Sequence, residues 1–196
     1  MSKRCINCPN KLKKCVGKDI ECNVTKEELK IQIFDILRML YKREFELIER
    51  NINEVCIASY FWHYFKNLFE DTYINMNIDM EYNKCGIDDK IYYAITGEEC
   101  HCAKPDFLIH KRSCNKNNFL YLEFKKNIRN IDNDYKKIKA FTKQAYENSN
   151  IPPKAVYKYR YGLSIILKKD KVILQWFEDG EEGDVEIILL EELICT

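Results

Sequence analysis

Glycine and proline are scarce, with six and four among 196 residues. That scarcity excludes collagen-like, linker and disordered classes, because 46% of the chain is hydrophobic and can build a core. No apolar run reaches the length of about 18 residues that a spanning helix needs. The start, MSKRCINCPNKLKK, lacks the apolar stretch of a secretory signal, so a cytoplasmic protein is expected. There is no glycine-rich phosphate loop, dinucleotide fingerprint or nucleophilic-serine motif, which removes the commonest nucleotide-binding and acyl-transfer enzymes. Residues 178–196 contain no Lys or Arg at all.

The formal charge of +1 conceals an uneven distribution. Residues 1–24 carry +4, 25–103 carry −6, 104–143 carry +7, 144–177 carry +4 and 178–196 carry −8. A basic middle between acidic ends can attract a phosphate backbone, since the local field matters more than the total.

Ten cysteines in a chain with no export signal read as reduced thiols or metal ligands rather than a disulfide framework. Cys5, Cys8, Cys15 and Cys22 place four thiolates in a short span, enough for a tetrahedral structural Zn²⁺. The spacing lacks the second Cys-x-x-Cys of a zinc ribbon. Cys100-His101-Cys102 offers further ligands, while Cys56 and Cys195 read as small buried apolar residues. Residues 1–24 therefore form a Cys-rich segment, and residues 25–196 a separate folded domain.

Thr25-Lys26-Glu27-Glu28 has the form of a capping box, and Leu29, Ile33, Ile36, Leu37, Leu40 and Tyr41 follow at helical spacing. This predicts a helix over 26–49. A second, over 53–69, carries Ile57, Tyr60, Phe61, Tyr64, Phe65 and Leu68 on one stripe, with Glu54 a turn earlier on the same inward face. The period then shifts toward 2, predicting strands over 76–82, 105–111 and 119–125 with a turn at 113–118. A third helix over 133–147 and strands over 155–167 and 171–177 complete the pattern, leaving the acidic tail 184–195 unassigned. The order is that of an α/β or α+β sandwich around a mixed sheet.

The informative pair of segments is 105–125. A hairpin centred near Cys114–Asn115 sets Asp106 opposite Glu123 on one face, with Lys125 pointing the same way and Leu120, Leu122 and Phe124 on the other. Converging carboxylates repel, and a hard divalent cation such as Mg²⁺ or Mn²⁺ turns that repulsion into binding. An ammonium beside them can hold or polarise an attacking water, and a bound cation can neutralise charge on a phosphodiester. The alternative is a surface salt bridge on a half-exposed strand.

Pro105-Asp106, followed after sixteen residues by Glu123-Phe124-Lys125, resembles the signature of the PD-(D/E)xK phosphodiesterase superfamily. Asn53-Glu54 opening an aromatic-rich helix, then Asp79-Met80-Glu81-Tyr82-Asn83, looks like the pattern of a group of uncharacterised bacterial nuclease-like proteins. Ile109-His110-Lys111-Arg112, Asp134-Tyr135-Lys136-Lys137-Ile138 and Tyr159-Arg160-Tyr161-Gly162-Leu163 extend the similarity over residues 26–177. The resemblance implies a restriction-endonuclease-like core, a mixed sheet flanked by helices, with catalytic residues Asp106, Glu123, Lys125, Glu54 and Glu81. Asp106 and Glu123 would ligate the metal and Lys125 would orient water. Glu54 would be a further ligand or a carboxylate supporting one, and Glu81 would border the site. Two departures stand out: Cys85–Lys104 is longer than the usual link, and Tyr60 stands where an Arg is common.

His110, Arg112 and Lys137 are candidates for phosphate contact. Tyr157, Tyr159 and Tyr161 could stack on bases or belong to the core. The expectation is a metal-dependent nuclease acting on nucleic acid, with DNA the expected substrate and a homodimer compatible with it. The competing readings are a nucleic-acid- or partner-binding module with weak or conditional activity, and a zinc-bearing interaction domain centred on the cysteines.

Overall fold

The computed structural model describes residues 22–85, 88–93, 99–100, 104–112, 117–126, 131–145, 151 and 155–195. Cys5, Cys8 and Cys15, and with them the expected zinc site, lie outside these residues, as do His101 and Cys102. Helix α1 (Lys26–Arg43) starts where the sequence places it. The Thr25 hydroxyl accepts from the Glu28 N–H at 3.2 Å, and the Glu28 carboxylate accepts from the Thr25 N–H at 2.8 Å. The helix expected to run to residue 49 is interrupted at Glu44, whose carboxylate accepts from the Tyr64 hydroxyl at 2.5 Å, and α2 (Phe45–Glu49) resumes beyond it. Helix α3 (Glu54–Phe69) is capped by Asn53, whose side chain accepts from the Val55 N–H. Ile57, Phe61, Tyr64 and Phe65 are buried as expected, whereas Tyr60 and Leu68 face solvent. A 3₁₀ turn, Glu70–Tyr73, leads to the sheet.

The sheet has six strands in the order β1-β6-β7-β8-β9-β10. They are β1 (Asn77–Asp79), β6 (Phe107–His110), β7 (Leu120–Lys125), β8 (Tyr161–Leu167), β9 (Lys171–Glu178) and β10 (Glu181–Leu189). Between β1 and β6, the two-residue strands β2 (Lys84–Cys85) and β3 (Asp88–Asp89) pair with each other, as do β4 (Tyr92–Tyr93) and β5 (Glu99–Cys100). Only β7 and β8 of the main sheet run parallel, so a crossover must join them, and α4 (Ile131–Thr142) supplies it. The fold is α/β, a mixed sheet flanked by helices.

Each face of the sheet carries its own core. Phe107, Ile109, Leu120, Leu122, Phe124, Leu163 and Ile165 bury against α1 and α3. Leu108, Tyr121 and Phe177 face α4 with Ile138, Phe141, Tyr157 and Tyr159. The last two tyrosines are buried in that core and Tyr161 in the opposite one, so none is available to stack on bases. Helix α4 comes close because β8 offers Gly162 beneath it, where a Cβ would collide with Ile138 and Thr142. The acidic tail forms β10 and α5 (Leu190–Ile194) because α1 neutralises it. Lys26 Nζ lies 2.6 Å from Glu178 and 3.2 Å from Asp184, and Lys30 Nζ lies 2.8 Å from Glu186. Among the described residues no helix is long and apolar enough to cross a membrane.

Candidate active site

The β6–β7 register is the expected one: Phe107 pairs with Leu122, Leu108 with Tyr121 and Ile109 with Leu120. One step further, Asp106 stands beside Glu123 on the α4 side, where each carboxyl acts on the other. The Phe124 N–H donates to Asp106 Oδ2 at 2.7 Å, which fixes the aspartate at the end of β6. Glu123 is 3% exposed, and its Oε1 accepts from the Tyr121 hydroxyl at 2.6 Å. Burial, then the neighbouring Asp106 charge, pushes Glu123 well above the usual carboxylate range, outweighing the opposing pull of Lys137 and Tyr121. Burial likewise raises Asp106, against the Phe124 N–H, the Glu123 hydrogen bond and the Lys125 charge.

Two further acids complete the cluster. Glu54, the first residue of α3, accepts from the Lys126 N–H at 2.9 Å and approaches Lys125 Nζ at 3.6 Å. It thereby ties the N-terminus of α3 to the C-terminal end of β7, and its charge acts on Asp106. Asp134 on α4 lies 3.0 Å from Lys125 Nζ through Oδ2 and 2.9 Å from Lys137 Nζ through Oδ1. Burial would lower Lys125, but the Asp134 hydrogen bond and charge, with Glu54 and Glu123, raise it instead. Lys137 is raised too, the Glu123 charge and Asp134 outweighing burial. Its Nζ sits 3.9 Å from Glu123 Oε1, within the cluster.

Asp134 and Tyr121 were not assigned roles from sequence. Asp134 and Lys137 sit three residues apart on a helix, a pairing that sequence spacing does reveal. Tyr121 alternates with Leu120 and Leu122 and carries no polar signal until its strand face is known.

Glu81 does not join the cluster. Continued past the Asp79–Leu108 pair, the β1–β6 register would set Glu81 opposite Asp106, but β1 ends at Asp79. Glu81 is exposed there in a left-handed conformation with φ 47°, a geometry uncommon outside glycine. His110 and Arg112 are likewise committed elsewhere. His110 is 2% exposed with Nε2 3.0 Å from Asp79 Oδ2, and Arg112 forks onto both Asp79 oxygens, with its Nε–Oδ2 contact at 2.7 Å. His110 is thus buried away from any phosphate, while the half-exposed Arg112 forms with Asp79 a salt bridge that laces β1 to β6. Cys22, the described member of the cysteine set, is half-buried, and burial pushes its thiol up. Cys56 is half-buried and Cys195 is exposed, against the buried position expected for the latter.

The implied Mg²⁺ or Mn²⁺ can be tested against these donors. Asp106, Glu123, Glu54 and Asp134 supply four carboxyls, while Lys125 and Lys137 supply two ammonium groups. Full ionisation would leave two negative charges uncompensated, and a single proton between Asp106 and Glu123 relieves only one of them. Among the described residues no three His, Cys, Asp or Glu side chains are arranged to hold a metal together. Magnesium keeps several waters and commonly takes only one or two protein carboxylates, so a two-carboxylate set of this charge fits it. In comparison with known proteins, the chain matches no family model, no curated protein and no solved structure.

Proposed function

We propose that this chain is a metal-dependent nuclease that hydrolyses phosphodiester bonds, with DNA as its expected substrate, on a restriction-endonuclease-like core. The observation that carries the reading is the Asp106–Glu123 pair, Glu123 buried and Asp106 half-buried, set side by side by strand register with an uncompensated charge that a divalent cation would balance. Asp106 and Glu123 would hold the ion, which when bound supplies a more acidic water and charge neutralisation at the phosphodiester.

The chain's own groups then divide the remaining work. Lys125 holds its ammonium at the end of β7, gripped by Asp134 and Glu54, where it can orient a water or steady the leaving oxygen. Tyr121 fixes the Glu123 rotamer from beneath. Lys137 offers a second positive charge beside Glu123 for a phosphate oxygen. The net charge of +7 over residues 104–143, which include all of the cluster but Glu54, favours an anionic polymer.

The test is cleavage of plasmid, linear, branched and single-stranded DNA, and of RNA, with Mg²⁺ or Mn²⁺ and with chelator, beside a Glu123→Ala control. Metal-dependent cleavage that the control lacks is the expected result. Absence of cleavage of every substrate with both metals overturns the enzyme reading and leaves a nucleic-acid- or partner-binding module on the same fold.

A further inference from the structure

On the α4 side of the sheet, neighbouring strands place polar residues at one level. Glu123 of β7 is in register with Ser164 of β8, and Ser164 with Gln175 of β9. Alternation puts Ser164 on the same face as Glu123, because Leu163 and Ile165 point into the α1–α3 core. Gln175 is satisfied locally, its Nε2 donating to the Trp176 and Gly183 carbonyls at 3.1 and 3.0 Å. Ser164 is not: it is 0% exposed and its hydroxyl has no hydrogen-bond partner. Buried hydroxyls in native proteins are nearly always paired, so an unpaired one beside a charged site points to a partner in another state of that site.

The choice of partner is narrow. Both Asp134 oxygens are taken by lysines, and the backbone carbonyls of β7, β8 and β9 belong to sheet ladders. Glu123 is the acceptor in register with Ser164. A glutamate side chain offers about four acceptor positions, and Tyr121 and Lys137 both address one of its oxygens, Oε1. We propose that Ser164 is a positioning residue for Glu123, its hydroxyl donating to the carboxylate in the state that holds a divalent cation. The inference rests on the metal-dependent reading above. A neutral donor suits that place, because another ammonium would compete with the cation for the same charge.

The experiment reads metal binding directly, with Mn²⁺ alone as probe. Free Mn²⁺ is counted by electron paramagnetic resonance in titrations of the full chain, and the thermal midpoint of each metal-free protein is measured alongside. Wild type should bind Mn²⁺. Ser164→Ala should bind it about tenfold more weakly, the loss expected for one hydrogen bond to a charged group, while its metal-free midpoint stays level or rises because an unpaired hydroxyl has gone. Ser164→Thr, which keeps the hydroxyl, should recover the affinity. Ser164→Cys, which nearly keeps the size but donates weakly, should not, and it serves as the test if the Ala variant fails to fold. Equal Mn²⁺ affinity in wild type, Ala and Cys variants overturns the Ser164 assignment and leaves the nuclease reading intact. So does a loss of affinity that follows only a loss of thermal stability and that Thr does not recover. Wild type that binds no Mn²⁺ overturns the metal-dependent reading itself.

Discussion

Two carboxylate clusters lie on the same face of the same sheet, one across β1 and β6 and one across β6 and β7, and their electrostatics are opposite. At the first, Asp79 meets a cation matched to it. Burial alone would raise Asp79, yet the hydrogen bonds from His110 and Arg112 hold it far below the usual carboxylate range. At the second, Glu123 and Asp106 meet each other, and both are raised. A matched acid is a structural clamp with nothing left to bind. An acid pair under repulsion, seated on rigid strands and flanked by two lysines, is prepared to accept charge from outside. The direction of the perturbation, and not its presence, separates the two clusters.

The largest way to break that contrast is Glu123→Gln. Glutamine mimics the protonated acid, so the metal-free fold should keep its stability within about 1 kcal/mol, while cleavage should fall by about 10³-fold, the scale of removing an electrostatic partner of the transition state. Turnover and thermal midpoint measured on the same preparation check both halves. A large loss of stability with activity retained would exchange the roles assigned to the two clusters.

Acid titration separates them by sign. Burial, helped by the Lys90 and Arg112 charges and opposed by the Asp79 hydrogen bond and charge, pushes His110 down to about 4 from an ordinary 6.5. The unfolded chain therefore takes up this proton near 6.5 and the folded chain only near 4. Stability should fall as pH drops through that window, by on the order of 3 kcal/mol. Asp106 and Glu123 act in the other sense: raised acids bind protons more tightly in the folded state, so they favour folding as pH falls and oppose it as pH rises. Denaturant midpoints between pH 7 and pH 4 should thus fall more steeply in Glu123→Gln than in wild type, and less steeply in a His110→Asn variant.

Smaller again is Asp79→Asn, expected to cost about 2 kcal/mol. The loss is below that of a fully buried pair because Arg112 is half exposed and regains water, leaving chiefly the edge between β1 and β6 unlaced. Cleavage at temperatures where the variant is folded should change by less than about twofold, since Asp79 touches none of the cluster's acids. A deep loss of cleavage with unchanged stability would move Asp79 into the site.

How much of this was legible in the sequence follows from how local each determinant is. The capping box at Thr25, the alternation through Leu120–Lys125 and the turn between β6 and β7 are local, and together they set the Asp106–Glu123 register before any fold is known. Glu54 was found through its place on a helix face and beside a motif. His110 and Arg112 misled because an exposed basic turn and a salt bridge to a strand more than thirty residues earlier have the same local sequence. The acidic tail was unreadable for the same reason, since Lys26 and Lys30 lie about 150 residues away from the charges that they neutralise. Ser164 is invisible until the parallel β7–β8 pairing, made possible by α4, sets it beside Glu123.

The smallest predicted effect sharpens the comparison at its quietest contact. Tyr121 is wholly buried and sits against Phe141 with ring centroids 4.4 Å apart, so its orientation is set by packing and not by its hydroxyl. Tyr121→Phe should therefore leave the core in place and remove only the donor to Glu123 Oε1. Burial and the Asp106 charge push Glu123 up, toward its neutral form, when no metal is bound, so that hydrogen bond is closer to an ordinary one and its loss should cost about 1 kcal/mol of metal-free stability. In the charged form the same donor is worth more, about 1.5–3 kcal/mol, so Mn²⁺ affinity should fall by the difference between the two forms, about 0.5–2 kcal/mol. Unchanged Mn²⁺ affinity in Tyr121→Phe would mean that the hydrogen bond is worth the same with and without the ion, and the distinction drawn between the matched cluster and the poised one would lose its basis.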